Sequence, residues 1–457
     1  MRMTVIGTGY VGTAHAACMA DIGHQVLGVD IDADRIASLA AGRAPIHEDG
    51  LDELLARTLA SGRLRFSTSL AEGAAFARTH FVCVGTPQLP DSKAADLRYV
   101  DAVVDGLASH LRPGSLIVGK STVPVGTAAR ISERLADMTP GTEVAWNPEF
   151  LREGAAVQDT MRPERLVVGV TSRHAEGVLR AVYAPMILAG VPFFATDPAT
   201  AELVKVAANS FLATKISFIN AMAEVCDAAG ADVSLLARAI GADSRIGPRF
   251  LEPGLGFGGS CFPKDIRAFA ARAEEIGAGE AVVFLHEVDR INTRQRQRTV
   301  DRARGLLGGS FTGCRIAVLG AAFKPGSDDV RDSPALVVAA TLQQQGAAVR
   351  VHDPEAIDTA RAVHPELAYA LDVDKACEDA DLVLHLTNWP QYQDIDPAAL
   401  AELVRSPVLF DARNCLDPRS WSAAGWAVHA PGRPRLSQAI PAEDQVDRVA
   451  ALTGGAS

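Results

Sequence analysis

The opening of this chain constrains its fold more than any other feature. Thr4-Val5-Ile6 is a short apolar run, and Gly7-Thr8-Gly9-Tyr10-Val11-Gly12 follows it directly. This is G-x-G-x-x-G where a strand gives way to a helix. The next apolar run ends at Val29-Asp30, eighteen residues past Gly12, which completes a dinucleotide fingerprint. Gly7 permits the tight turn, Gly9 lets backbone approach a pyrophosphate, and Gly12 allows close helix–strand packing, with the phosphates on the helix N-terminus. Asp30 is placed to accept hydrogen bonds from an adenosine ribose. Its charge repels a 2′-phosphate, so the expected cofactor is NAD rather than NADP. A Gly turn with only a structural duty is the alternative, and the acid at this spacing argues against it.

The rest of the first 197 residues continues the same alternation. Apolar runs at Gln25–Val29, His80–Val84, Ser115–Gly119, Glu143–Trp146 and Leu166–Val170 are separated by helical patterns. That reads as β-α-β units and a parallel sheet. At Asp197-Pro198 the pattern changes: a capping carboxylate is followed by Pro at the first helical position. No Gly or Pro interrupts until Gly230, which predicts a helix over Pro198–Ala229, long enough to bridge domains or subunits. Helical stretches from Asp265 to about Leu307 follow. The β-α-β pattern restarts at Cys314, with strands expected at Arg315–Gly320, Ala348–His352, Leu382–Leu386 and Val408–Asp411. The fold class is therefore α/β, with two Rossmann-like doubly wound domains joined by a long-helix central connector. The expected boundaries are 1–197, 198–307 and 308–457, with a frayed tail from about Pro431.

Composition sets limits on partners. The 457 residues include 44 Lys+Arg and 55 Asp+Glu, a net charge of −11, and 48% hydrophobic residues. That argues against disorder and against nucleic acid as a partner. No apolar run approaches the ~18 residues of a membrane helix, and Met1-Arg2-Met3 leads straight into a strand rather than a signal peptide. The seven cysteines show no C-x-x-C pair, so neither a disulfide frame nor a metal site is expected, and a reducing, cytoplasmic location follows.

Gly258-Gly259-Ser260-Cys261-Phe262-Pro263-Lys264-Asp265 is the second informative segment. A Gly-rich approach sets Cys261 just ahead of a helix, with Lys264 three residues on. Both effects favour thiolate over thiol, and an activated Cys in a dehydrogenase suggests covalent capture of an aldehyde. A buried, inert Cys is the alternative, and it is the reading for the other six. Gly254-Leu255-Gly256-Phe257-Gly258-Gly259 also fits G-x-G-x-x-G, but it follows Pro253 rather than a strand and reads as a flexible loop.

These segments, with Val84-Gly85-Thr86-Pro87, Ser121 to Thr127, Asn147 to Gly154, Glu202 to Asn209, Ile240 to Gly247, Ala322 to Pro325, Arg331 to Pro334 and Asp411 to Asn414, resemble the UDP-glucose/GDP-mannose dehydrogenase family over almost the whole chain. The resemblance implies a four-electron oxidation of a sugar-nucleotide alcohol to a carboxylate with two NAD. UDP-glucose, giving UDP-glucuronate, is the expected substrate, through a thiohemiacetal and a thioester on Cys261. The Phe after the Cys favours that sugar. GDP-mannose, an N-acetylated UDP-hexose, or a non-catalytic regulator that binds nucleotide sugars are the rivals.

The resemblance also implies roles. Lys205 and Asn209, one helical turn apart, would stabilise an oxyanion, and Asp265 with Lys205 would order a water and handle the alcohol proton. Glu149 would activate water for thioester hydrolysis. Glu153 would lie near nicotinamide and substrate; two carboxylates so close in sequence are expected to raise one pKa. Thr122 would sit at the reacting centre. Thr8, Tyr10, Val11, Arg35, Thr86, Lys264 and Arg331 join the glycines and Asp30 as NAD contacts. For the substrate, Phe150, Leu151 and Arg152 flank the two glutamates. Phe250, Leu251, Gly254, Gly256, Phe257 and Gly258 would grip uracil and ribose. Phe323, Lys324 and Arg413 suit diphosphate and sugar, and Arg245 would reach a neighbouring subunit's sugar site in a homodimer.

Overall fold

The computed structural model describes residues 1–434 apart from Pro45 and His47; most of the expected frayed tail lies outside the described residues. The first sheet has eight strands: β1 Arg2–Ile6, β2 Gln25–Val29, β3 Leu64–Ser67, β4 Thr79–Val82, β5 Leu116–Gly119, β6 Glu143–Trp146, β7 Leu166–Gly169 and β8 Phe193–Thr196. Their order is β3-β2-β1-β4-β5-β6-β7-β8, so its first six strands follow the doubly wound 3-2-1-4-5-6 arrangement. Successive residues of β1 enter different cores: Met3 and Val5 pack with the helix Tyr10–Asp21, and Ile6 packs with Val100, Val104 and Ile131. Strands covered on both faces are why these runs read as continuous apolar stretches.

A second sheet has six strands: β9 Arg315–Leu319, β10 Ala348–His352, β11 Ala368–Tyr369, β12 Leu382–His385, β13 Val408–Asp411 and β14 Ala427–His429. Its order is β11-β10-β9-β12-β13-β14, again 3-2-1-4-5-6. Both doubly wound sheets are thus present. Four strands escaped the sequence reading: β3, β8, β11 and β14. All lie at sheet edges, where short, half-exposed runs lose the apolar signature. The expectation of a wholly parallel first sheet is corrected at one junction, because β6 meets β7 antiparallel through Trp146 and Gly169.

The helix Pro198–Ala229 runs its full expected length of 32 residues. The later helical region is Phe262–Glu275, a short 3-10 turn at Gly279–Val282, and Phe284–Leu306. The chain forms two compact units that do not follow chain order. One comprises Met1–Thr214, Phe257–Arg290 and Ala322–Ser333; the other comprises Lys215–Gly256, Ile291–Ala321 and the chain from Pro334 onward. The Cys261 segment and the Phe323–Arg331 segment therefore belong to the compact unit of the first sheet.

Candidate active site

The Gly-rich turn has the shape its sequence predicts. Gly7 has φ +88°, and a Cβ on Gly12 would lie 1.8 Å from the Gly7 carbonyl oxygen. Only glycine there lets the helix start so close to β1. A Cβ on Gly9 would meet nothing within 4 Å, leaving room above the turn. Gly9 caps the helix Tyr10–Asp21 with no side-chain partner, so its first N–H groups are available to phosphate. Asp30 accepts from the Thr8 amide at 2.7 Å, the Thr8 hydroxyl at 3.1 Å and Arg35 Nη1 at 3.0 Å. Burial opposes its charge, but these bonds hold the carboxyl below its ordinary value. This cradle fits NAD. Tyr10 directs its hydroxyl to Glu48 and receives the Gly154 amide at 2.6 Å, which fixes the end of the Glu149–Gly154 segment.

The strand ends bring the chemistry together in the same unit. Glu149, beyond β6, pairs with Lys205 Nζ at 2.9 Å, and both side chains are buried. Asn209, one turn further along the long helix, donates to Asp265 Oδ2 at 2.7 Å. Lys264 pairs with the other Asp265 oxygen at 2.6 Å. Thr86 donates to the Thr122 carbonyl at 2.7 Å. Cys261 is the N-cap of the helix Phe262–Glu275. Phe150 lies under Lys205, with Nζ 5.7 Å from the ring centre; the Leu151 amide donates to Glu149 at 2.6 Å; Arg152 is spent on an ion pair with Asp159.

Two electrostatic expectations need correction. The Cys261 thiol is pushed up to about 11, not down. Burial dominates, and the Glu149 and Asp265 carboxylates add to it; Lys205 acts the other way. The cation expected to help, Lys264, is committed to Asp265. The second correction concerns the two glutamates. Burial opposes ionisation of Glu149, yet Lys205, the Leu151 amide and Lys120 hold it below its ordinary value. Glu153 is the raised one, at about 7, through burial and then Asp329 rather than Glu149. It pairs with Arg331 at 3.5 Å, while Arg331 mainly serves Asp329 at 2.6 Å.

Residues outside the sequence reading also matter. Lys120 is buried at the end of β5 and donates to Asn147 Oδ1 at 3.1 Å. Asp329 lies sixty-eight residues beyond Cys261 in sequence, and only folding shows that it faces Glu153. Ser260 bonds to both Glu153 and Cys261. A Lys closing a strand run beside Ser121-Thr122 was the one signal available in advance.

The expected substrate residues divide between the units. Phe257, Gly258, Phe323 and Lys324 lie with Cys261. A Cβ on Gly259 would lie 2.6 Å from the Phe323 ring, so this stretch is packed rather than flexible, and Leu255 to Gly259 are buried. Burial pulls the Lys324 ammonium below its ordinary value. Arg245, Phe250, Leu251, Gly254, Gly256 and Arg413 lie in the second unit. There the Gly254 amide donates to Asn220 at 2.8 Å, and Phe250 takes φ +65°. Arg413 donates to the Leu386 and Gly256 carbonyls at 2.6 and 3.0 Å, leaving its buried Nη2 unpartnered. Arg245 is exposed and paired with Asp243. The second sheet also gathers His385, Asp411 and Cys415 within 4.8 Å; His385 Nδ1 bonds to Asp411 at 2.8 Å.

A doubly wound sheet with this turn and ribose acid, beside a Cys with paired Lys, Asn, Asp and Glu, defines an NAD-dependent oxidoreductase. Family models agree along the chain: the UDP-glucose/GDP-mannose dehydrogenase NAD binding domain matches residues 1–187, the central domain 199–294 and the UDP binding domain 317–418. The chain belongs to the UDP-glucose/GDP-mannose dehydrogenase family. It is 41% identical over 446 residues to the UDP-glucose 6-dehydrogenase TuaD of Bacillus subtilis, covering 97% of this chain and 95% of that protein. A UDP-glucose dehydrogenase structure from Pyrobaculum islandicum matches with TM-score 0.85 and 40% identity, covering 92% of this chain and 95% of the other. A UDP-D-ManNAc dehydrogenase from Pyrococcus horikoshii matches at TM-score 0.83 and 26% identity, covering 95% and 100%.

Proposed function

We propose that this chain oxidises carbon 6 of UDP-glucose from alcohol to carboxylate, giving UDP-glucuronate with two NAD consumed. The observation that carries the reading is the cluster of Cys261 with the buried pairs Glu149–Lys205 and Asn209–Asp265, on a chain about 40% identical to the UDP-glucose enzymes above. Gly7 to Gly12, Asp30 and Arg35 hold NAD, with Thr86, Thr122, Glu153, Lys264 and Arg331 toward its reactive end. Bound NAD supplies the hydride acceptor for both oxidations.

Lys205 and Asp265 take up the alcohol proton as the aldehyde forms. Cys261 then adds to the aldehyde carbon, and Lys205 with Asn209 stabilises the oxyanion. After the second oxidation a thioester remains on sulfur. Glu149, kept ionised by Lys205, accepts a proton from the hydrolysing water. Lys324, in the unit that holds Cys261, suits the sugar diphosphate. The nucleotide contacts come from 250–258. In this division of labour residues 1–197 serve NAD with help from Lys264 and Arg331, 198–307 carry the central helix and Cys loop, and 308–457 otherwise serve the UDP sugar.

The working form is a homodimer in the cytoplasm. Phe211, Phe218 and Val225 are 66%, 48% and 56% exposed at heptad spacing along one helix, an apolar stripe suited to a second copy. Arg245, 87% exposed, would exchange its pairing with Asp243 for a partner's sugar site. Among the described residues no helix is long and apolar enough to cross a membrane.

The test is absorbance at 340 nm with NAD and a panel of sugar nucleotides. Two NADH per UDP-glucose are expected, and Cys261→Ser should abolish net turnover. One NADH per sugar sinks the thioester role. Preference for GDP-mannose or an N-acetylated UDP-hexose moves the substrate, and no NADH with any sugar leaves a binding protein.

A further inference from the structure

If Cys261 is the nucleophile, its proton has to go somewhere, because the thiol is protonated at neutral pH. Lys205, held by Glu149, offsets this only in part, and Lys264 is committed to Asp265. The hydrogen bond the sulfur makes is to the Ser260 hydroxyl, at 3.5 Å, and Ser260 donates onward to Glu153 Oε1 at 3.0 Å. A hydroxyl has one proton to give. With that proton on Glu153, the Ser260 oxygen presents lone pairs to the S–H.

Both ends of this chain are anchored. The Gly259 amide bonds to the Arg331 carbonyl at 3.0 Å, and the Gly154 amide is held by Tyr10 and Glu48 at 2.6 and 2.9 Å. The second Glu153 oxygen, Oε2, is buried without a partner. The charged and titratable groups that face Glu153 are Tyr10, Lys324, Asp329 and Arg331; those facing the sulfur are Glu149, Lys205 and Asp265, with the Lys324 and Arg331 cations also acting on it. Burial and Asp329 place Glu153 near 7, suited to a base that takes and returns a proton at neutral pH. Glu149, tied to Lys205 and held low, is a weaker acceptor.

We propose that Ser260 and Glu153 form a proton relay that deprotonates Cys261 as its sulfur attacks the aldehyde. The S–H proton passes to Ser260 Oγ while the Ser260 proton passes to Glu153 Oε1. The S–C bond forms, and the carbonyl electron pair moves onto oxygen. That alkoxide then gives up hydride and becomes the thioester carbonyl, so it needs no proton. On hydrolysis the departing sulfur recovers its proton along the same path. Ser260 is a relay residue, and Glu153 gains a base role beyond its contacts with NAD and substrate. The inference deepens the proposed reaction and rests on Cys261 being its nucleophile.

The test is iodoacetamide alkylation of the full-length, ligand-free protein, read at Cys261 by peptide mass spectrometry from pH 6 to 9.5. The wild-type rate should rise through an inflection near 7. Ser260→Ala and Glu153→Gln should each slow alkylation at pH 7.5 by about 100-fold, the low end of general-base contributions, and remove that inflection. The double variant should be no slower than either single one, because the two act in one chain. A wild-type rate and pH profile in either single variant overturns the relay, as do losses that multiply in the double variant. Unfolding midpoints of the two variants separate a lost fold from a lost relay, and either variant alone suffices to decide. This readout needs no sugar nucleotide. If alkylation behaves as expected while UDP-glucose gives no NADH, the substrate reading fails and the relay stands.

Discussion

The second sheet repeats the order of the first six strands of the first, and the two part at their opening turns, in the glycines and around one carboxylate. In the first, β1 ends at Gly7, the Thr8 amide bonds to Asp30 beyond β2 at 2.7 Å, and Gly9 and Gly12 follow. In the second, β9 leads into Gly320, the Ala321 amide bonds to Asp353 beyond β10 at 2.7 Å, and no further glycine follows until Gly326. Even the flanking bonds correspond, Gly7 to the Val29 carbonyl and Gly320 to the His352 carbonyl, both at 2.8 Å. The difference is what covers the acid. Asp30 shares its outer side with a surface arginine. Asp353 is 1% exposed and is capped by the Trp389 indole N–H at 3.0 Å. One turn therefore stays open to a ribose, while the other is closed by a side chain. Strand order alone does not make a dinucleotide site; the glycines, and an acid bounded by a surface arginine rather than a core side chain, are needed as well.

Four substitutions test that contrast. Gly12→Ala has the largest expected effect. Its Cβ would overlap the Gly7 carbonyl, so the helix must shift, and the apparent KM for NAD should rise by more than about 100-fold; an unchanged KM would mean that the turn does not hold the cofactor. Trp389→Ala comes next and acts on stability. Emptying that buried site should cost about 3–5 kcal/mol, read as a lower denaturation midpoint, while the KM for NAD stays within about twofold. A change in NAD affinity without destabilisation would contradict the plug. Asp30→Ala has the smallest effect. Losing charge-assisted hydrogen bonds of roughly 1.5–3 kcal/mol should raise the KM for NAD by about 10- to 100-fold, whereas Asp353→Asn should leave it unchanged and lower the denaturation midpoint. Equal effects of the two on NAD would erase the distinction between the sheets.

The catalytic neighbourhood teaches a related lesson. Glu149 and Glu153 are four residues apart, and the sequence suggests that each perturbs the other. Folding turns Glu149 toward Lys205 and Glu153 toward Asp329 and Ser260. Burial raises both carboxyls; Lys205 overcomes it at Glu149, whereas Asp329 adds to it at Glu153. Cys261 shows the same limit. Its place ahead of a helix was readable, and the helix N-terminus is there, but burial beside two carboxylates outweighs that help.

The sequence by itself determined the Gly-rich turn, the acid eighteen residues past Gly12, the alternation that makes two doubly wound sheets, and the long helix. These are local signals: glycine where backbone must pass close, continuous apolar runs where strands are covered twice, and the absence of helix breakers over 32 residues. Edge strands such as β8, with Phe194 56% exposed, carry little apolar pattern and were not legible. Only the tertiary structure decided which acid is plugged by Trp389, which glutamate is raised, and that the Ser260 hydroxyl meets Glu153. Each depends on side chains tens to more than a hundred residues apart meeting in low dielectric, where burial and a single neighbour outweigh anything adjacent in the chain.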